Sequence, residues 1–442
     1  MNPDISDSTK VCCPALVVAA PSSGSGKTTV VAAIARYFTN QGKRVRVFKT
    51  GPDFIDPDFL AFASRHPVYQ LDFWMCGEAN CKAMIAKAAQ QADLILIEGV
   101  MGMFDGQCSS ADIAATLGIP VLAVIDAGAM AQTFGAIAYG LAHFRSDIDM
   151  YGVFANRVGS SAHAQMLKDS LPHSLAFCGY LPKNSGLTLP ERHLGLVRAS
   201  ELDDLDQRLD LAAALLVEHG DIHMPPAIEF EVVAENSIPR QLVGVTIAIA
   251  RDNAFCFLYQ ANLELLEQMG AKIVYFSPLA GEGLPECDAL YLPGGYPELY
   301  LDKLASNTQL YAQIAQHIET NKPVLAECGG MLFLNKTLTD CSDKIGDMCG
   351  VLDAHSRMEN SLQALGLVEG VFEASLHDAT LRGHTFHYSK TDSNEEVLCH
   401  PISQRGKKLD PVWIHRKVVA SYVHWYFPYN VALTAKIFKG EI

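Results

Sequence analysis

Lys27 and Thr28 close the stretch VVAAPSSGSGKTTV, in which an apolar run leads into small residues and then a helical start. Small residues let backbone N–H groups approach phosphate oxygens, and a helix N-terminus favours their negative charge. In such a loop Lys27 reaches the β and γ phosphates of a nucleotide and Thr28 holds Mg2+. Ser23, Gly24, Ser25, Gly26, Lys27, Thr28 and Thr29 are therefore the candidate nucleotide-binding residues, although Pro21 stands where the strict pattern has glycine. GPDFIDP, with Asp53 and Asp56, and LILIEGVMGMFDG, with Glu98 and Asp105, follow the next two strand-like runs. Taken singly such acids usually cap turns or helices. At the carboxyl ends of parallel strands they instead face the ligand crevice, where they hold Mg2+ or orient an acceptor carboxylate.

A second kind of chemistry is written in KPVLAECGGMLFL, where an apolar strand enters a tight turn at Cys328 and leaves it as a helix. Ala326 and Gly330, two residues to either side, permit the sharp turn that lifts a nucleophile above a sheet edge. The helix start beyond it is expected to lower the thiol pKa. A thiol nucleophile also needs a base and an oxyanion site. Gly294 and Gly295 in ALYLPGGYPELY, with the amide of Gly329, are the oxyanion candidates, and His424 in VVASYVHWYF is the candidate base.

The elements that must position these residues can be read from the apolar runs. ALVVAA, RVRVFK, LILIEG, IPVLAVID and MYGVFANR alternate with helical stretches such as 27–39, 78–91 and 129–144. That is the pattern of a doubly wound, mostly parallel α/β sheet. Around 223–241 prolines and acids interrupt the periodicity and suggest a linker, giving domains 1–222 and 242–442. VGVTIAIA, KIVYFSP, ALYLPGG and KPVLAECGG start a second α/β series, with helices near 258–269 and 299–318 and further strands after about residue 365.

Composition narrows the classes. The chain has 442 residues, of which 49% are hydrophobic and 19% charged, so large cores rather than disorder are expected. No apolar run is long enough to span a membrane, and the acidic start does not read as an export signal. The twelve cysteines lack paired spacing and suit a reducing, cytoplasmic setting. A net charge of −15 gives no footprint for nucleic acid.

Together these residues resemble the cobyrinic acid a,c-diamide synthase family of cobalamin-pathway glutamine amidotransferases. The resemblance runs through SSGSGKTT, GPDFIDP, EGVMGMFDG, ANRVGS, LPERHLGL, RDNAFCFLYQANLELLE, LPGGYPELY, AECGGML, GHTFHYS and ASYVHWYF. It implies an N-terminal ATP-dependent synthetase domain, similar to dethiobiotin synthetase, joined to a class I-like glutaminase domain. It further implies that Cys328 attacks the glutamine side-chain amide with help from His424, and that ATP phosphorylates corrin carboxylates which ammonia then converts to amides. Asp53 and Asp105 are assigned to the metal or the intermediate, and Thr28, Asp56 and Glu98 to Mg2+. Class I glutaminases usually carry a Glu two residues after the histidine, where this chain has Tyr426. A Cys–His pair is the description that fits, with no role assigned to Glu327.

A substrate rich in carboxylates needs a cationic cradle, for which Arg157, Arg192 and His193 are candidates. His384 and His387, three apart in a strand, fall on opposite faces and do not make a shared metal site. The expected partners are small molecules (corrin macrocycle, glutamine and ATP), with a homodimer as the assembly to consider. Two alternatives stand beside this reading. One is the same chemistry on hydrogenobyrinic acid or nickel sirohydrochlorin; the other is a regulatory P-loop ATPase whose ATP turnover ignores glutamine.

Overall fold

Runs of β-branched residues become parallel strands because both their faces are covered by helices. The computed structural model describes residues 10–187, 191–192, 195–196, 199–232, 237–372 and 379–442. The chain forms two units, Met1–Glu235 and Asn236–Ile442.

In the first unit the strands β1 (Lys10–Ala19), β2 (Val45–Thr50), β3 (Tyr69–Leu71), β4 (Leu94–Glu98), β5 (Val121–Asp126), β6 (Met150–Val158) and β7 (Phe177–Pro182) line up as β3-β2-β4-β1-β5-β6-β7. All neighbours in this order run parallel. The expected linker contains a further strand, Ala227–Glu231, which returns antiparallel to the first half of β1, from Lys10↔Glu231 to Pro14↔Ala227.

Strand parity decides what each side chain meets. Leu16 and Val18 of β1, Leu94 and Leu96 of β4, and Val45 and Val47 of β2 pack in one core with Val30, Ile34 and Phe38 of helix α1 (Lys27–Asn40) and Phe59 of helix α2 (Asp56–Ser64). Continuing those two parities one step further brings Lys49 and Glu98 to the same face, under the start of α1. Their strands pair them directly, Lys49↔Glu98.

The second unit has a seven-stranded sheet in the order Lys272–Phe276, Thr246–Ala250, Ala289–Leu292, Val324–Glu327, Val418–Ser421, Val412–His415 and Glu396–Cys399. The first five run parallel, and Val412–His415 is antiparallel to both of its neighbours. Two four-stranded sheets accompany it. The run VVASYVHWYF divides between sheets: Val418–Ser421 lies beside Val324–Glu327, while Val423–Trp425 joins a small sheet beside Thr380–His387. The helical stretch 299–318 likewise breaks at Asn307, which caps Thr308–Glu319 by accepting from Leu310 N. Among the described residues no helix is long and apolar enough to cross a membrane.

Candidate active sites

At the carboxyl end of β1 the chain turns through the loop and enters α1 at Lys27. Gly26 sits at φ 86°, and a Cβ there would fall 1.9 Å from Asn156 Nδ2. No other residue fits without displacing that amide. Asn156, buried at the end of β6, donates from Nδ2 to Ser25 O at 3.0 Å and holds the loop from the sheet side.

Lys27 folds back over the loop, donating to Ser22 O at 3.1 Å and to Met101 O at 2.7 Å. Burial pushes its pKa down to about 8, with Glu98 opposing the shift. Thr28 Oγ1 donates to Glu98 Oε1 at 2.7 Å. Behind it, buried Lys49 lies 2.7 Å from Asp56 Oδ2, 3.2 Å from Glu98 Oε1 and 3.7 Å from Asp53 Oδ2. Burial opposes the charge on Lys49, but Asp56, Glu98 and Asp53 outweigh it and raise its pKa. Burial also raises Glu98, against the pull of Lys49. Desolvation and the neighbouring Asp56 push Asp53 up to about 7. Asp56 is held low because Lys49 overcomes the cost of its burial.

These groups line a cavity of about 530 Å³. Ser23, Gly24, Gly26, Lys27, Thr28, Thr29, Asp53, Asp56, Glu98 and Arg157 are all on its wall, with Asn156 and with Lys49 and Lys183, which no local motif marks. Ser25 lies beneath the loop, its hydroxyl donating to Ser22 O at 3.0 Å. Asp105 is not on the wall; its carboxylate accepts from Gly102 N at 2.9 Å and closes the turn that follows β4. Arg157 pairs with Asp126 at 2.5 Å and is half-exposed. Arg192 is placed as backbone, in the strand Glu191–Arg192 paired with Gly195–Leu196. His193 lies outside the described residues.

The donor chemistry suits a hard cation. Glu98 Oε2 is buried with no hydrogen-bond partner, and the hydroxyl of Thr28 is beside the same carboxylate. Among the described residues no three His, Cys, Asp or Glu side chains converge into a metal cage. Mg2+ does not need one, because it usually takes one or two carboxylates and completes its shell with water and phosphate.

In the second unit Cys328 sits between the strand Val324–Glu327 and the short helix Gly329–Leu334 at φ 45°, ψ −109°, a strained turn. Its N–H donates to Ser421 O at 2.7 Å. A Cβ on Gly330 would come within 2.1 Å of Leu292 O, so glycine is needed for the helix to start against the neighbouring strand. The Gly294–Gly295 loop is packed as tightly. A Cβ on Gly294 would meet His424 Cε1 at 2.2 Å, and one on Gly329 would meet Gly295 N at 2.9 Å. The structure therefore brings His424, both glycines of that loop and the turn after Cys328 into one cluster.

The electrostatics of this cluster correct one expectation. Burial, then the nearby Glu298, push the Cys328 thiol up to about 12. A six-residue helix start does not outweigh complete desolvation. His424 is buried, and desolvation followed by His384 and His387 drives its pKa well below the ordinary range. The resting pair is a neutral thiol with a neutral imidazole, the form in which the ring can accept the thiol proton. His384 lies cross-strand from His424 and burial lowers it to about 3. His387 stacks on Tyr422 with ring centroids 3.6 Å apart.

A glycine-rich loop with a desolvated lysine in one unit, and a cysteine elbow whose following turn clusters with a histidine in the other, are the parts of a ligase that draws its nitrogen from glutamine. Residues 16–197 match the CobQ/CobB/MinD/ParA nucleotide binding domain, and residues 246–430 match the CobB/CobQ-like glutamine amidotransferase domain. Hydrogenobyrinate a,c-diamide synthase of Pseudomonas aeruginosa is 50% identical over 97% of this chain and 98% of its own. The protein of the same name from Stutzerimonas stutzeri is 51% identical over 97% of this chain and 99% of its own. Cobyrinate a,c-diamide synthase of Herminiimonas arsenicoxydans is 43% identical over 97% of both chains. The chain belongs to the cobyrinate and hydrogenobyrinate a,c-diamide synthase family of glutamine amidotransferases.

Proposed function

We propose that this chain converts the a and c carboxylates of a cobyrinate-type corrin into amides, using ATP and glutamine, with the cobalt-free hydrogenobyrinate as its macrocycle. The observation that carries the reading is the pairing, in one chain, of the Lys27–Thr28–Glu98 pocket with the Cys328–His424 cluster. The choice of ring is supported by the two relatives at 50% and 51% identity, both named for hydrogenobyrinate. Cobyrinate is the second reading, supported by the relative at 43%.

In this mechanism Cys328 Sγ attacks the glutamine carboxamide carbon while His424 takes the thiol proton and passes it to the departing ammonia. Water then cleaves the thioester to glutamate, with His424 as base. The amides around Gly294, Gly295 and Gly329 are assigned to the oxyanion. In the other unit a corrin carboxylate oxygen takes the γ-phosphoryl group of ATP; ammonia attacks the acyl carbon and phosphate leaves. Lys27 neutralises charge developing on the phosphates. Mg2+, held by Thr28 and Glu98, would supply further neutralisation there. Asp53 is assigned to orienting the acceptor; Asp56, expected on Mg2+, is bonded to Lys49 at 2.7 Å and is assigned instead to keeping that lysine charged in place. Arg157, with Arg192 and His193, is assigned to the carboxylates of the ring. The reaction is placed in the cytoplasm, in keeping with twelve free cysteines.

The test is a mass spectrum of products formed from ATP, Mg2+ and glutamine with hydrogenobyrinate, cobyrinate or nickel sirohydrochlorin. Two acid-to-amide exchanges on hydrogenobyrinate are expected. Exclusive conversion of another ring would reassign the substrate, and ATP turnover indifferent to glutamine with no amide formed would point to a regulatory ATPase.

Lys27 also gives a pH signature. Phosphate favours its charged form, so nucleotide binding raises a pKa that starts at about 8. Above that pH the free protein must take up a proton to bind, and ATP affinity should weaken about tenfold per pH unit. Calorimetry in buffers of different ionisation heat should record proton uptake near pH about 8.5. The uptake should disappear in Lys27→Arg, whose guanidinium is charged throughout this range; equal uptake in that variant would assign the proton to another group.

A further inference from the structure

The three parts of the glutamine site hang from three strands. Cys328 follows Val324–Glu327, the Gly294–Gly295 loop follows Ala289–Leu292, and His424 lies within Val423–Trp425. One carboxyl group touches all three. Glu327, the backbone neighbour of Cys328, accepts at Oε2 from the Tyr291 hydroxyl at 2.8 Å and at Oε1 from the Trp425 amide at 3.0 Å. Tyr291 stands three residues before Gly294, and Trp425 directly follows His424.

The arrangement is dry and bound on both sides. Tyr291 and Glu327 are 1% exposed and Trp425 0%. Asn262 holds the far side of the histidine strand, with Nδ2 donating to Trp425 O at 2.7 Å and Oδ1 accepting from Phe427 N at 2.8 Å. Strand parity puts Glu327 on the face of Leu325 and Tyr291, within the apolar core that also holds Trp425 and Phe427. Packing alone would favour an apolar side chain of that volume, since a buried ionisable group is costly to desolvate. A carboxyl there is explained by what its two oxygens hold.

We propose that Glu327 is the positioning residue of the glutaminase site, its carboxyl tying the oxyanion strand and the histidine strand to the nucleophile strand so that thiol, imidazole and oxyanion amides meet one carboxamide. The proposal rests on the glutaminase reading above. Burial pushes Glu327 up to about 8, so near neutrality the group is largely uncharged, and Glu327→Gln can keep both contacts, its carbonyl oxygen accepting from the Trp425 N–H and its NH2 donating to the Tyr291 hydroxyl oxygen.

The experiment compares glutamine-dependent and ammonia-dependent synthesis in the full-length enzyme. Misplacement of reacting groups by an ångström costs about 10²-fold. Glu327→Ala should therefore lower kcat with glutamine about 10²-fold while KM for glutamine stays within about threefold. Ammonia-dependent synthesis, which bypasses the thiol, serves as the control for folding. Glu327→Gln should recover kcat to within about threefold of the parent, and Tyr291→Phe should lower it about five- to tenfold without moving KM. A Glu327→Ala enzyme with the parent's kcat, or a Glu327→Gln enzyme as damaged as the alanine variant, overturns the proposal. Should Glu327→Ala fail to fold, Tyr291→Phe decides, and an unchanged kcat there overturns it as well. An unmodified enzyme that releases no glutamate from glutamine defeats the glutaminase reading and this proposal together; an active parent with an indifferent Glu327→Ala defeats this proposal alone.

Discussion

Cys328→Ser is expected to lower glutamine-dependent amidation by at least about 10³-fold while ammonia-dependent amidation stays within about twofold of the parent. The replacement is nearly isosteric, so it respects the strained backbone at φ 45° and the amide bond to Ser421 O. What changes is the atom that attacks. A hydroxyl is a far weaker nucleophile than sulfur, and His424, held neutral by burial, is too weak a base to compensate. The synthetase pocket is lined entirely by residues of the first unit and keeps its own chemistry. Paired assays with glutamine and with an ammonium salt, read by the mass of the corrin product, separate the two activities. Loss of both rates would contradict this division of labour, and retention of both would remove Cys328 from the mechanism.

Lys27→Ala is expected to reduce product formation by about 10²- to 10³-fold with either nitrogen source. In the proposed mechanism the lysine is the cation beside the transferring phosphoryl group, and removing it leaves that charge unbalanced in a site where screening is poor. Folding should survive. Burial already lowers the pKa of Lys27 to about 8, so its charge is not a favourable feature of the unliganded fold. The two carbonyls it contacts, Ser22 O and Met101 O, belong to residues at the cavity mouth that are exposed to solvent. Thermal unfolding without nucleotide should therefore shift little, whereas the stabilisation that ATP gives the parent should vanish. Ammonia-dependent synthesis persisting at the parent's rate would refute the role of the loop.

The strands that build each sheet centre were legible because both their faces are apolar. ALVVAA, LILIEG and IPVLAVID could hardly be anything else. The edge strands β3 and β7 were not, since three residues, or a run broken by Gly179, carry too little pattern. Ala227–Glu231 was hidden for a different reason: AIEFE alternates charge with apolar side chains beside two prolines, and only its pairing to Lys10–Pro14 makes it a strand. The phosphate loop and the cysteine elbow are local, so a few consecutive residues reveal them. Lys49 is not local. At the end of a strand it reads as a solvated lysine until the pairing with Glu98 turns it inward. The same applies to Glu327, whose partners are 36 and 98 residues away. The thiol pKa is not legible either, because sequence shows the helix that follows Cys328 but not the depth of its burial.

The return of Ala227–Glu231 onto the beginning of β1 bears on any attempt to obtain the ATP-binding half alone. A piece ending at residue 222 would strip the partner from Lys10–Pro14 and offer bare amides and carbonyls to whatever chain came near, a familiar route to clumping. The natural seam comes after Glu231, once the final ribbon has sealed the first.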